Sequence, residues 1–207
     1  MGFPVSDAFW NDRYAKAAAE GAAVWSIEPN AWIAQVISPL KSGTAIDLAA
    51  GEGRNALWLA SLGWNVTAVD FSAAGLAIGR QRASIASLDL HWVTADATDW
   101  VSPTPVDLVV IAYLQLPAVQ LTVAISNAVH SLDAGGTLAL IGHDSENLEH
   151  GVGGPKDPAV LWDLETVRSA AVALSLDIAE CRRYDRTTAD GSVAIDTILL
   201  ATKPVRK

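Results

Sequence analysis

The chain has 207 residues, with 14 Lys and Arg against 23 Asp and Glu, a formal net charge of −9, and a composition 51% hydrophobic and 18% charged. That is the length of one domain able to bury about 70% of its unfolded surface, with little room for disorder and no basic surface of the kind that displaces counterions from nucleic acid. No apolar run approaches the ~20 residues of a membrane span, and the lone Cys181 excludes disulfide frameworks, cysteine-rich zinc sites and CxxC redox motifs. Met1–Asp7 has neither the basic cap nor the apolar core of a signal peptide, so a cytoplasmic protein is expected. His91, His130, His143 and His150 are scattered, without a metal-ligand spacing, and no metal is expected.

Along the chain, residues 6–40 read as helices rich in aromatics (Phe9, Trp10, Tyr14, Trp25, Trp32) and punctuated by Pro29 and Pro39. Strand and helix then alternate: β at 44–49, helix 53–62, β at 64–70, helix 72–87 capped by Ser72, β at 89–95 and 106–112, helix 117–132, β at 136–142. Such alternation calls for a parallel sheet with right-handed crossovers. Asp144–Pro158 is a glycine-proline-rich loop longer than a minimal connection, of the kind that is functional or mobile. After a helix near 163–174, Leu176–Thr187 and Ser192–Thr202 flank Asp190-Gly191, a hairpin signal. Cys181 falls in the first of these strands and reads as a packing residue.

The most informative stretch is Thr44–Ala60, TAIDLAAGEGRNALWLA. An apolar strand carrying one acid, Asp47, runs through Gly51-Glu52-Gly53 into an amphipathic helix, and the next strand ends in Asp70. Glycines there let the backbone turn sharply and approach a ligand, and an acid at the next strand's end suits ribose hydroxyls. An adenosine-containing cofactor is implied, and two fit. Gly51–Ala56 satisfies the dinucleotide pattern G-x-G-x-x-(G/A). Read from Asp47, the same residues are D-x-A-x-G-x-G. Dinucleotide domains usually carry only apolar residues in that strand, because an unpaired carboxylate is costly to bury, and their sheets more often continue parallel than close on a hairpin.

The stretch from Asp47 to Gly53 resembles motif I of class I S-adenosylmethionine-dependent methyltransferases, with Ala49 in place of the family's first glycine. Leu90–Ala97, Asp107–Ala112 and Gly135–Ile141 resemble the third, fourth and fifth strands of that family. Phe9–Tyr14, Trp25, Glu28-Pro29-Asn30 and Gly51–Asn55 look like its tellurite-resistance and thiopurine-methyltransferase-like branch. The resemblance implies an α/β Rossmann-like fold, a seven-stranded mostly parallel sheet of order 3-2-1-4-5-7-6 with strand 7 antiparallel. It implies one domain, with residues 1–40 a helical lid on a core of 41–207.

It also implies S-adenosyl-L-methionine as cofactor, in contact with Arg13, Trp25, Asp47, Ala49, Gly51, Gly53, Arg54, Asn55, Asp70, Phe71, Ser72, Asp96, Ala97 and Ala112. Asp70 is expected on the ribose and Asp96 on the adenine amino group. Tyr113 and His143 are the candidate catalytic residues, with His143, Asp144 and the 144–158 loop contacting the acceptor. Ala112-Tyr113-Leu114-Gln115 lacks the Asn/Asp-Pro-Pro-aromatic motif of DNA amino-methylating enzymes. The expected partner is therefore a small-molecule methyl acceptor, with no nucleic acid and no membrane. The alternatives are an NAD-dependent oxidoreductase, although no tyrosine has a lysine four residues on, and a non-catalytic S-adenosylmethionine-binding protein.

Overall fold

The computed structural model describes residues 7–20, 24 and 26–205. In chain order these form α1 (Asp7–Ala19), α2 (Ala31–Ile37), β1 (Thr44–Leu48), α3 (Arg54–Ser61), β2 (Asn65–Asp70), α4 (Ala73–Ala86), β3 (His91–Thr94) and β4 (Val106–Ala112). They continue with α5 (Ala118–Ser131), β5 (Leu132–His143), the short α6 (Asn147–His150), α7 (Leu164–Ala173), β6 (Asp177–Thr187) and β7 (Val193–Thr202).

The strands make one sheet of order 3-2-1-4-5-7-6. β1 to β5 are parallel, and β7 runs antiparallel between β5 and β6. Side chains alternate across it. Ile46, Leu48, Val109, Ile111, Leu138 and Leu140 face α5 and α7 on one side, while Ala45, Val66, Leu108, Val110 and Ile141 face α2 and α3 on the other. A sheet covered on both faces is what near-continuous apolar strands require. Period two also places Asp47 on the α3 side, with Ala45.

β5 begins four residues before the expected Gly136. Leu132 pairs with Val106, and the register then jumps to Leu108–Thr137 across an irregularity that Gly135, at φ 83°, allows. The 144–158 loop is also more ordered than its composition suggests. Its Asn147 is buried, donates to the carbonyls of Val152 and Gly153, and accepts from the Ile195 N–H at 2.7 Å. One amide thus holds the middle of the glycine run and ties it to β7. Among the described residues no helix is long and apolar enough to cross a membrane.

Candidate functional site

β1, the turn after it and the end of β2 form one hydrogen-bonded unit. Asp47 is buried in β1, and its Oδ2 accepts from the Ala56 N–H of α3 at 3.0 Å, while Oδ1 has no partner. Burial pushes its carboxyl up to about 7. The chain then enters the left-handed region at Ala49, Gly51 and Gly53, with φ of 65°, 56° and 74°. Asp70 fastens this turn: Oδ2 accepts from Gly51 N–H at 2.8 Å and Oδ1 from Ser72 N–H at 2.7 Å. It is buried too, which pushes its carboxyl up to about 6. Gly53 has a packing reason, since a Cβ there would lie 2.9 Å from the Trp92 ring.

Above the turn lies a cleft walled by Trp10 and Tyr14 of α1, Gly51, Arg54, Ala112 and Gln115. It runs into a second space of about 1190 Å³, and Ala49, Asp70 and Phe71 line both. Asp96 and Ala97 line the second space. Both Thr98 donors, N–H and Oγ1–H, already bond to Asp96 at 2.7 Å, so this acid also shapes its own turn. The Gln115 Oε1, within the cleft wall, has no hydrogen-bond partner.

Several expected cofactor residues stand one layer back. Asp47 and Gly53 lie beneath the turn rather than on the cleft wall. Ser72 is fully buried, caps α4 by accepting from Gly75 N–H, and donates to Asn11. Asn55 lines the cleft, but its Oδ1 accepts from the Asn30 N–H. Arg13 is exposed and its guanidinium lies 5.2 Å from the Trp10 ring centroid, outside the lining. Trp25 lies outside the described residues.

A third space, about 800 Å³, opens on the other side of Tyr113 and Arg54, which line both it and the first cleft. Its wall includes Asn30, His143, Gly153, Gly154 and Arg186. Tyr113 has φ 61°, an unusual conformation for so large a side chain and one found at functional sites. Its hydroxyl accepts from Asn30 Nδ2 and donates to Asp196 Oδ2, both at 3.0 Å. Burial, then the Asp196 charge, pushes this phenol up, so it stays protonated. Tyr113 therefore cannot serve as a base here.

Asp196 of β7 is fully buried and also accepts from Arg186 Nε at 2.7 Å. His143 Nδ1 sits 3.1 Å from its Oδ1, within ion-pair range but off the line of a hydrogen bond. Burial works against the Asp196 charge, but contacts with His143 and Arg186 outweigh it and hold the carboxyl below its ordinary range. Asp144 requires a correction. Instead of facing the crevice it is buried, accepting from Arg183 Nε at 2.9 Å and from the Thr197 hydroxyl, and it braces β7 and β6. Only residues 152–154 of the loop that follows reach the cavity wall.

The sequence also hid Glu52. Buried inside the glycine turn, it accepts from Val24 N–H at 2.9 Å and pairs with Arg82 at 2.9 Å, fastening the N-terminal segment to the core. Arg186 and Asp196 carry no local motif, and Asn30 and Glu52 fall in matched stretches that say nothing of their tertiary partners. Only the tertiary fold gathers them.

Residues 45–136 match the family model described as a methyltransferase domain. Over that stretch the chain is similar to a methyltransferase domain. No curated protein matches the chain. Among solved structures, TehB from Haemophilus influenzae superposes with a TM-score of 0.71 at 16% identity, covering 94% of this chain and 67% of TehB. A SAM-dependent methyltransferase from Methanosarcina mazei gives 0.69 at 15% identity, covering 86% and 100%. The N-methyltransferase NodS from Bradyrhizobium japonicum, in complex with S-adenosylhomocysteine, gives 0.61 at 17% identity, covering 94% and 86%. At these identities the likeness is one of fold. The sheet order of this chain places its first cleft at the C-terminal ends of β1, β2 and β4.

Proposed function

We propose that the chain transfers the methyl group of S-adenosylmethionine to a small-molecule acceptor seated between Tyr113, His143 and Arg186. The observation that carries this is the sharing of Tyr113 and Arg54 between two cavities. One cavity fits the donor and the other is left for the acceptor. The donor's fit rests on the turn at Gly51, which brings backbone close, on Asp70 at the ribose end, and on the Gln115 Oε1, an acceptor in the wall still lacking a donor. Asp47 backs the amino-acid end, Ala112 and Phe71 lie along the wall, and Asp96 with Ala97 closes the adenine end. Residues 1–40 serve as the lid of the 41–207 core, with Trp10 and Tyr14 excluding water.

S-adenosylmethionine supplies a methyl carbon on a sulfonium, whose C–S electron pair stays with sulfur on transfer. The protein's part is alignment and proton management. The hydroxyl of Tyr113 holds Asn30 and Asp196 together and so fixes the neck between the cavities. The Asp196 carboxylate lies beside His143 Nδ1, which leaves Nε2 to take a proton from a hydroxyl or amine acceptor.

The test is a panel of thiol, amine and hydroxyl acceptors assayed for S-adenosylhomocysteine release. His143→Ala should lower kcat/KM at least tenfold, ~1.4 kcal/mol, with S-adenosylhomocysteine affinity nearly intact. Wild-type turnover in that variant would move the acceptor elsewhere. Binding of S-adenosylmethionine without turnover on any acceptor would instead favour a non-catalytic binding protein.

A further inference from the structure

The cavity behind Tyr113 is cationic in a chain whose net charge is −9. Two guanidiniums reach it: the Cζ atoms of Arg54 and Arg186 each lie 5.6 Å from the Tyr113 ring centroid. Among the described residues none of its lining side chains is acidic. The carboxylate behind the wall, Asp196, is already shared by Arg186, Tyr113 and His143. Arg54 donates to the Ser26 hydroxyl at 2.8 Å and has no carboxylate in ion-pair range among the described residues. Burial of that guanidinium lowers its pKa, and the nearby Tyr113 and Asp47 offset only part of the shift.

S-adenosylmethionine does not balance this charge. It brings an ammonium and a sulfonium against a single carboxylate, so a loaded site is more cationic than an empty one. If Arg54 takes the donor's carboxylate, the donor's ammonium and sulfonium remain, and Arg186 still lines the cavity on the other side of Tyr113. An acceptor that brings a negative group neutralises the site, and one that does not leaves it charged in a desolvated space.

We infer that the acceptor is an organic anion, bearing a carboxylate or a phosphate that docks on Arg186, whose Nε is held by Asp196 so that the planar fork is preset. Pro29, Ala31 and Val152 form an apolar wall for the rest of the molecule. The inference rests on the methyl-transfer reading and names the substrate class of the same site.

The experiment is calorimetric titration of the protein saturated with S-adenosylhomocysteine, using benzoate, phenyl phosphate and benzamide as probes. At least one of the two anions should bind ten or more times tighter than benzamide, with the preference falling as salt rises. Arg186→Gln should remove the preference and leave S-adenosylhomocysteine affinity within about twofold of wild type. Because that change strips Asp196 of a partner, the double variant Arg186→Gln/Asp196→Asn removes both charges together, and it too should lack the preference. Equal binding of the anions and the amide by wild type, or a preference that survives in both variants, overturns the inference. Failure of wild type to bind S-adenosylhomocysteine overturns the methyl-transfer reading itself, so the two failures are told apart in one titration series.

Discussion

Single residues in the turn show where stability is set against function. Asp47 is a carboxylate buried in a central strand with one oxygen unpaired. Its pKa moves from 3.8 unfolded to about 7 folded, so the folded state holds an extra proton between those values. The stabilisation from that proton is fully present below pH 4 and is lost as pH rises through about 7. Asp70, raised to about 6, adds a loss of the same sign. Asp47→Asn should therefore melt higher than wild type at pH 8, with the advantage vanishing toward pH 4; an equal gain at both pH values would remove the explanation. Ala49 makes a second case, because an L-residue at φ 65° costs about 1–2 kcal/mol, partly offset by the unfolded-state entropy that glycine adds. Ala49→Gly should raise urea-unfolding stability by up to ~1 kcal/mol, and a loss of stability would mean the backbone is not strained there.

At the scale of elements, the N-terminal segment is held to the core by polar contacts. Asn11 accepts from Ser72 Oγ and Ala74 N–H, Glu52 accepts from Val24 N–H, and Asn30 joins Asn55 and Tyr113. Glu52→Gln should speed hydrogen exchange at Val24 and residues 26–30 and weaken S-adenosylhomocysteine binding, while β1 to β5 stay protected. Exchange unchanged in the variant would show that Glu52 does not fasten the N-terminal segment. Gly142 in β5 is packed so tightly that a Cβ would lie 2.4 Å from the ring of Trp162, which donates its indole N–H to the Leu114 carbonyl at 2.8 Å. Gly142→Ala should destabilise by about 1–3 kcal/mol in urea unfolding, and a neutral outcome would mean the Trp162 ring can shift. The strands, the helices and the donor turn were legible because each announces itself locally: apolar runs, Gly51 and Gly53, Asp70 at a strand end. Arg186 and Asp196 were not. On strands of a terminal hairpin, alternating charges look like a solvated face, and only insertion of β7 beside β5 buries them. Asp144 misled for a related reason, since its place after β5 was right but its side chain turns back toward Arg183 and Thr197.

Across the whole molecule, the first cleft takes Asp70 and Ala112 from β2 and β4 with Asp47 of β1 beneath it, whereas the cavity behind Tyr113 takes His143 and Arg186 from β5 and β6 with Asp196 of β7 behind its wall. Tyr113, directly after β4, is the joint between them. β7 is the last strand in sequence yet lies between β5 and β6 in the sheet. During synthesis, then, Asp196 must emerge and slide into place after both neighbours are already made. A nascent chain halted at Thr187 holds β1 to β5 and the residues of the turn but has neither the Asp196 carboxylate beside His143 nor the strand that joins β5 to β6. Force measurements on ribosome-arrested chains should show the main folding step only once residue 202 has cleared the exit tunnel, and an earlier step of full size would contradict this order. The consequence is an order of assembly: the strands and turn that Asp70 fastens exist before the strand that carries Asp196.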